Sequence, residues 1–174
     1  MKRVIGILST SLLAGAMLFG ISSPQAHADS TTAPYQVVTP ELNGEQTTIG
    51  FDNKSDFENY LKSNPIPKSY KIQPLAQIYS TFYYDYDLKG PNFNVNASRN
   101  PVIITNFTGS NNDTVSSILT HPFGDYTTIY EHLNAEGHAL AIVNNGGYIN
   151  LNGSMGDGAR TWNDEVSSAI VKSK

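Results

Sequence analysis

The sequence predicts an all-β fold: an antiparallel sandwich made from two copies of one four-strand unit, preceded by an extension that carries one short helix. Three observations lead there. From about Ala76 onward, short aromatic and β-branched runs alternate with Gly- and Asn-rich turns: QIYSTFYY, FNVNA, PVIITNF, VSSILT, YTTIYEH, HALAIV, YINL and VSSAIV. Asn144-Asn145-Gly146-Gly147 joins two of these runs as a tight-turn signal. The chain also repeats itself: NDTVSSIL (Asn112–Leu119) returns as NDEVSSAI (Asn163–Ile170), and YYDYDLKG (Tyr83–Gly90) returns as YEHLNAEG (Tyr130–Gly137).

In chain order, residues 1–28 read as a secretory signal peptide. Lys2 and Arg3 precede an apolar stretch from Val4 to Ile21, and Ala26-His27-Ala28 fits a small-x-small cleavage pattern. Secretion is therefore the expected localisation, with no membrane association after cleavage. Residues 29–75 are polar and punctuated by Pro and Gly. Within them SDFENYLKS predicts a helix, with Ser55 and Glu58 as a capping box and Phe57, Tyr60 and Leu61 on one face. Prolines 65, 67 and 74 predict an extended linker after it. The whole 29–75 segment reads as a pro-segment, an arm, or a strap packed on the domain. Residues 76–174 form the sandwich domain, in which each four-strand unit leaves an apolar face that the other covers.

Charge and cysteine content narrow the function. The chain has 11 Lys and Arg against 15 Asp and Glu; loss of Lys2 and Arg3 with the leader takes the formal charge from −4 to −6. A nucleic-acid partner wants a basic face, so none is expected. There is no cysteine, which excludes disulfides and thiolate-bound zinc or iron.

In each copy of the Asn-Asp-x-Val-Ser-Ser segment, Asn and Asp favour a bend, and Val115 and Val166 start an inward-facing strand pattern. Ser116 and Ser167 then face away from the core beside Asp113 and Asp164. Every atom able to bind a ligand is an oxygen: carboxylate, amide, hydroxyl or main-chain carbonyl. Hard oxygen donors in a loop suit Ca²⁺, while Mg²⁺ demands a stricter octahedron. One Asp per copy implies weak binding, on the order of 10⁻⁶ to 10⁻³ M. A single copy reads as a turn entering a strand; two copies behind matched hairpins favour a binding function.

With both motifs in view, the chain resembles the microbial βγ-crystallin domain family. The calcium signature of that family, Asn/Asp-Asn/Asp-x-x-Ser/Thr-Ser, fits NDTVSS and NDEVSS in full. Its hairpin signature is met by Tyr83, Gly90, Tyr130 and Gly137, with Leu88 and Ala135 where a second aromatic stands in the family. The resemblance covers roughly 76–174. It implies a βγ-crystallin-like sandwich of two Greek-key motifs and two Ca²⁺ ions, each motif giving ligands to both. It implies side-chain oxygens from Asp113 and Asp164, joined by Asn112 and Asn163; main-chain carbonyls from Thr114, Glu165, Tyr84 and Glu131; and hydroxyls from Ser116 and Ser167. Calcium-linked stability follows. Members of this broad family include a metalloproteinase inhibitor and a killer toxin, so the alternative function is a secreted inhibitor of an extracellular protease, or a toxin. The loops Asn144–Gly147 and Asn152–Gly158 are candidates to enter a protease cleft.

Other motifs carry less. DYDLKG opens like an EF-hand loop but has Lys89 at the fifth position and Asn96 at the twelfth. NGSMG has Asn152 where a nucleophile elbow needs Gly. His132 and His138 lack zinc spacing and read as surface or hairpin residues. Trp162 reads as a core anchor for the second motif. No nucleophile, base and acid converge in the sequence, and a monomer without enzyme activity is expected.

Overall fold

The computed structural model describes residues 32–40, 46–66 and 78–173. The signal-peptide reading, the 67–77 part of the linker and residues 41–45 lie outside them. Among the described residues, the elements are β1 (Tyr35–Pro40), β2 (Gln46–Phe51), α1 (Lys54–Ser63), β3 (Tyr79–Asp85), β4 (Lys89–Asn96), β5 (Thr105–Asn106), β6 (Ser117–Leu119), β7 (Tyr126–His132), β8 (Glu136–Val143), β9 (Tyr148–Asn150) and β10 (Ser168–Val171). One-turn 3₁₀ segments stand at Gly109–Asn111 and Leu133–Ala135. No described helix is long and apolar enough to cross a membrane.

All eight expected runs contain a strand, β3 to β10, and they form two sheets. One sheet has the order β4-β3-β6-β9, and the other β2-β1-β8-β7-β10-β5. Each four-strand unit pairs its first strand with its second and its fourth, and sends its third to the other sheet. Thus β5 of the first unit pairs with β10, and β9 of the second pairs with β6. Two Greek keys that exchange a strand account for this order. The all-β sandwich of two Greek-key motifs is therefore the observed fold.

The core lies between the sheets. Phe82, Val115, Ile118, Ile129, Ile142, Ile149, Trp162 and Val166 are essentially inaccessible there. Val115 and Val166 thus point inward, and Trp162 anchors the core beside the second motif. Phe93 stacks on Phe82 with ring centroids 5.4 Å apart, and Phe107 meets Phe82 edge-on.

The extension joins this fold as a strap. Strand β1 runs parallel to β8, pairing Tyr35 with Ala139 and Val38 with Ile142, and β2 pairs with β1 on the outside. This adds a parallel pairing to sheets whose other strand pairs, among the described residues, are antiparallel. Helix α1 then covers the outer face of the six-stranded sheet. Alternation along β8 explains the third layer. Leu140 and Ile142 enter the inter-sheet core, whereas Ala139, Ala141 and Val143 face a second core containing Phe51, Phe57, Tyr126 and Tyr130. Small Ala side chains allow the helix to approach closely. Phe57 is buried, with Tyr60 and Leu61 packed beside it, as the helical periodicity predicts. The cap differs from expectation. Asn53, not Ser55, is the N-cap: its side chain accepts from Asp56 N at 3.0 Å and donates to the Asp56 carboxylate at 2.9 Å. The box forms two residues early because Asn53 is extended while Ser55 already lies in the first turn.

Candidate metal centre

The two Asn-Asp-x-Val-Ser-Ser segments fold alike. Each is a tight turn whose Asp takes left-handed backbone angles, with φ of 52° at Asp113 and 59° at Asp164. Asp tolerates that region better than most residues because its short side chain bonds locally. Each turn leads into a strand that starts at the second Ser, Ser117 or Ser168.

That second Ser clasps the hairpin of its own unit. Ser117 Oγ donates to Asp85 O at 2.7 Å and accepts from Leu88 N at 3.1 Å. Ser168 Oγ donates to His132 O at 2.6 Å and accepts from Ala135 N at 3.1 Å. The exchanged strands complete each turn: Asn150 Oδ1 accepts from Asp87 N, and Asn106 Oδ1 accepts from Asn134 N, both at 2.8 Å. Leu88 and Ala135 adopt φ of 59° and 62° within these turns. Gly90 and Gly137 are also left-handed, and a Cβ at Gly90 would fall 2.4 Å from the Asp85 carboxylate. The sequence reading gave Ser117 and Ser168 no role.

The first Ser of each pair faces the corner where the two motif loops meet. Asp113 N donates to Val166 O at 3.2 Å, and Asp164 N donates to Val115 O at 3.1 Å, so the loops tie each other reciprocally. Ser167 Oγ donates to Asp113 Oδ1 at 3.1 Å, joining the second motif to the first. Ser116 Oγ donates instead to the Tyr84 carbonyl at 2.6 Å. Asp164 is engaged by its own neighbour, Asn163 Nδ2, at 2.7 Å. Asn112 Nδ2 holds Asp113 in the same way. The single oxygen of each amide, Asn112 Oδ1 and Asn163 Oδ1, is buried and has no hydrogen-bond partner. A buried carbonyl oxygen without a donor costs free energy, so the same cost recurring in both repeats points to a cation as its natural partner. Thr114 spends its hydroxyl on Ser110 O at 2.9 Å. No three His, Asp or Glu side chains among the described residues form a metal-binding group; a set drawn mostly from carbonyls, amides and hydroxyls does not require one.

The second unit adds a charged network. Glu131 Oε1 accepts from Arg160 Nη1 at 2.7 Å, and Glu131 Oε2 pairs with His138 Nδ1 at 2.6 Å. Arg160 also reaches Glu165 at 3.3 Å and Asp157 at 2.5 Å. Burial pushes the Glu131 carboxyl upward, but hydrogen bonds from Arg160 and His138 outweigh it and bring it down to about 2. Arg160 is absent from the sequence-derived set; its place three residues after Asp157 was the available signal.

Of the proposed cleft-entering loops, Asn144–Gly147 is not free. Asn144 is buried, accepts from Thr127 Oγ1 at 2.6 Å and donates to Lys172 O at 2.9 Å, while Asn145 Nδ2 binds Pro40 O at 2.7 Å. Residues 152 and 153 and 157–159 remain exposed.

No family model matches the chain, and no curated protein matches it. A solved structure described as "Evolution of the eye lens beta-gamma-crystallin domain fold" is similar at 19% identity, covering 63% of this chain and 98% of that chain with a TM-score of 0.42.

Proposed function

We propose that the chain is a secreted calcium-binding module that holds two Ca²⁺ ions at the corner where its two Asn-Asp-x-Val-Ser-Ser loops cross. The observation that carries this reading is the matched pair of buried, unpartnered oxygens, Asn112 Oδ1 and Asn163 Oδ1, beside a carboxylate–hydroxyl contact that crosses between the motifs. The chemistry of the donor set agrees: one carboxylate per loop, amide and hydroxyl oxygens, and main-chain carbonyls form a hard, lightly charged set. The residues that would hold the ions are Asn112, Asp113, Ser116, Asn163, Asp164 and Ser167 through side chains, with Tyr84, Thr114, Glu131 and Glu165 through carbonyls. Bound calcium supplies positive charge; the chain supplies two loops already tied to one another. The biochemical act is binding, without catalysis.

Isothermal titration of calcium into the wild type, Asp113→Ala and Asp164→Ala tests the reading. Two ions bound by the wild type and weakened uptake in each variant are expected. No uptake at millimolar calcium would overturn it.

The inhibitor reading keeps one supporting feature. The 152–158 loop is exposed at its tip yet held at its base, where Gln36 Nε2 donates to Ser154 O at 2.9 Å and Met155 N to Arg160 O at 3.0 Å. A panel of extracellular proteases, assayed with and without calcium, separates the two functions.

A further inference from the structure

The two halves of the corner are unequal in charge. In the second unit three carboxylates converge: Glu131 from β7, Asp157 from the 152–160 turn and Glu165 from the motif loop. Arg160 is bonded to all three. In the first unit the repeat places Tyr84 opposite Glu131, Thr114 opposite Glu165 and Gly109 opposite Arg160. There the bonds are neutral, from Tyr84 OH to Asn111 Oδ1 and from Thr114 Oγ1 to Ser110 O.

We propose that Arg160 is a built-in counter-ion that holds the second motif loop against its hairpin when calcium is absent, and so sets how strongly the fold depends on the metal. The inference rests on the calcium reading above. Arg160 is a positioning residue: it touches none of the proposed donor atoms. It bonds the side chains of Glu131 and Glu165, the two residues of this half whose carbonyls are proposed donors. Three carboxylates brought together by folding repel one another, and a cation among them removes that penalty. The Glu131 side chain is only 9% exposed, so little solvent screens it. A guanidinium suits the task because its nitrogens present several donors in one plane, which a Lys ammonium cannot reproduce. Calcium at the same corner would supply the same sign of charge. The metal-free protein is therefore spared collapse of this half, and calcium adds less stability than it would to an unbraced loop.

The test compares wild type with Arg160→Met and Arg160→Lys, each melted in EDTA and in saturating calcium, alongside direct calcium titration. Arg160→Met should melt lower in EDTA and regain most of the loss in calcium, so that the calcium-induced rise in Tm grows about twofold over wild type. Arg160→Lys should fall between the two. If Arg160→Met is unfolded in EDTA, folding on calcium addition supports the proposal, and failure to fold in calcium overturns it. An equal loss with and without calcium would mark Arg160 as a plain structural brace and overturn it, as would an unchanged Tm in EDTA. Titration separates the two levels: a wild type that takes up no calcium sinks the calcium reading and this inference together. A wild type that binds calcium beside an Arg160→Met variant with no enlarged calcium response sinks this inference alone.

Discussion

Ser167 Oγ and Asp113 Oδ1 stand 3.1 Å apart although 54 residues separate them in the chain. The contact joins the motif loop of one Greek key to the motif loop of the other, so any ion held at this corner would be gripped by both halves. Stability and metal uptake should therefore rise together. At a calcium concentration a hundredfold above Kd, binding to the native state alone adds about 2.7 kcal/mol per site. Thermal melts with calcium and with EDTA should differ by several degrees, and a melting temperature indifferent to both would contradict the linkage.

The two serines of each motif should separate under mutation. Ser168→Ala removes a hydroxyl that is fully buried and bonded both to His132 O and to Ala135 N. It should cost about 1–3 kcal/mol, because a buried amide loses its acceptor. Calcium stoichiometry should stay at two. Ser167→Ala removes a proposed donor instead, so calcium affinity should fall while metal-free stability changes little. Chemical denaturation and calorimetric titration of both variants read the two effects independently. Equal behaviour of the pair would remove the division of labour.

Much of this was legible from the sequence, for identifiable reasons. Short strands with period-two apolarity and turn residues between them locate β3 to β10, and duplication of the motif marks the corner before any coordinates are known. The strap was harder. Its strands YQVVTP and QTTIGF flank Asn43-Gly44, a hairpin signal, yet their polar setting made them read as irregular. The continuous apolar run HALAIV also carried the answer. A sandwich strand with one solvated face alternates, while β8 is apolar on both faces because α1 covers the second. PVIITNF failed in the opposite direction. Only Thr105 and Asn106 pair, and Val102, Ile103 and Ile104 remain exposed despite high strand propensity, since register with β10 is set by the partner and not by local preference.

The strap makes a further prediction. Phe57 is 1% exposed and its ring lies 5.8 Å from Tyr35 and 6.1 Å from Phe51. Phe57→Ala should cost about 3–5 kcal/mol through lost burial and the cavity it leaves. The inter-sheet core and the corner where the motif loops meet do not depend on that ring, so any calcium stoichiometry found for the wild type should persist below the lowered melting temperature. Loss of calcium uptake in the folded variant would show that the strap shapes the corner.

His121 gives the fold a pH dependence away from that corner. It is 4% exposed; its Nε2 lies 2.8 Å from Lys172 O and its Nδ1 accepts from Phe123 N at 3.2 Å. These contacts fix the neutral tautomer, with the proton on Nε2. Burial lowers the imidazole pKa below 6.5, against smaller raising effects from the Lys172 carbonyl and Asp125. The folded state therefore binds a proton less readily than the unfolded chain. The stabilisation is complete above about pH 6.5 and is lost as pH falls from there through the folded pKa. Each unit of depression is worth about 1.4 kcal/mol. Protonation would also turn Nδ1 into a donor facing the Phe123 N–H. Urea denaturation between pH 8 and pH 5 should show falling stability in the wild type, and a flatter profile in His121→Gln, whose amide can accept and donate but does not titrate. Parallel profiles for the two proteins would mean that other groups carry the pH response.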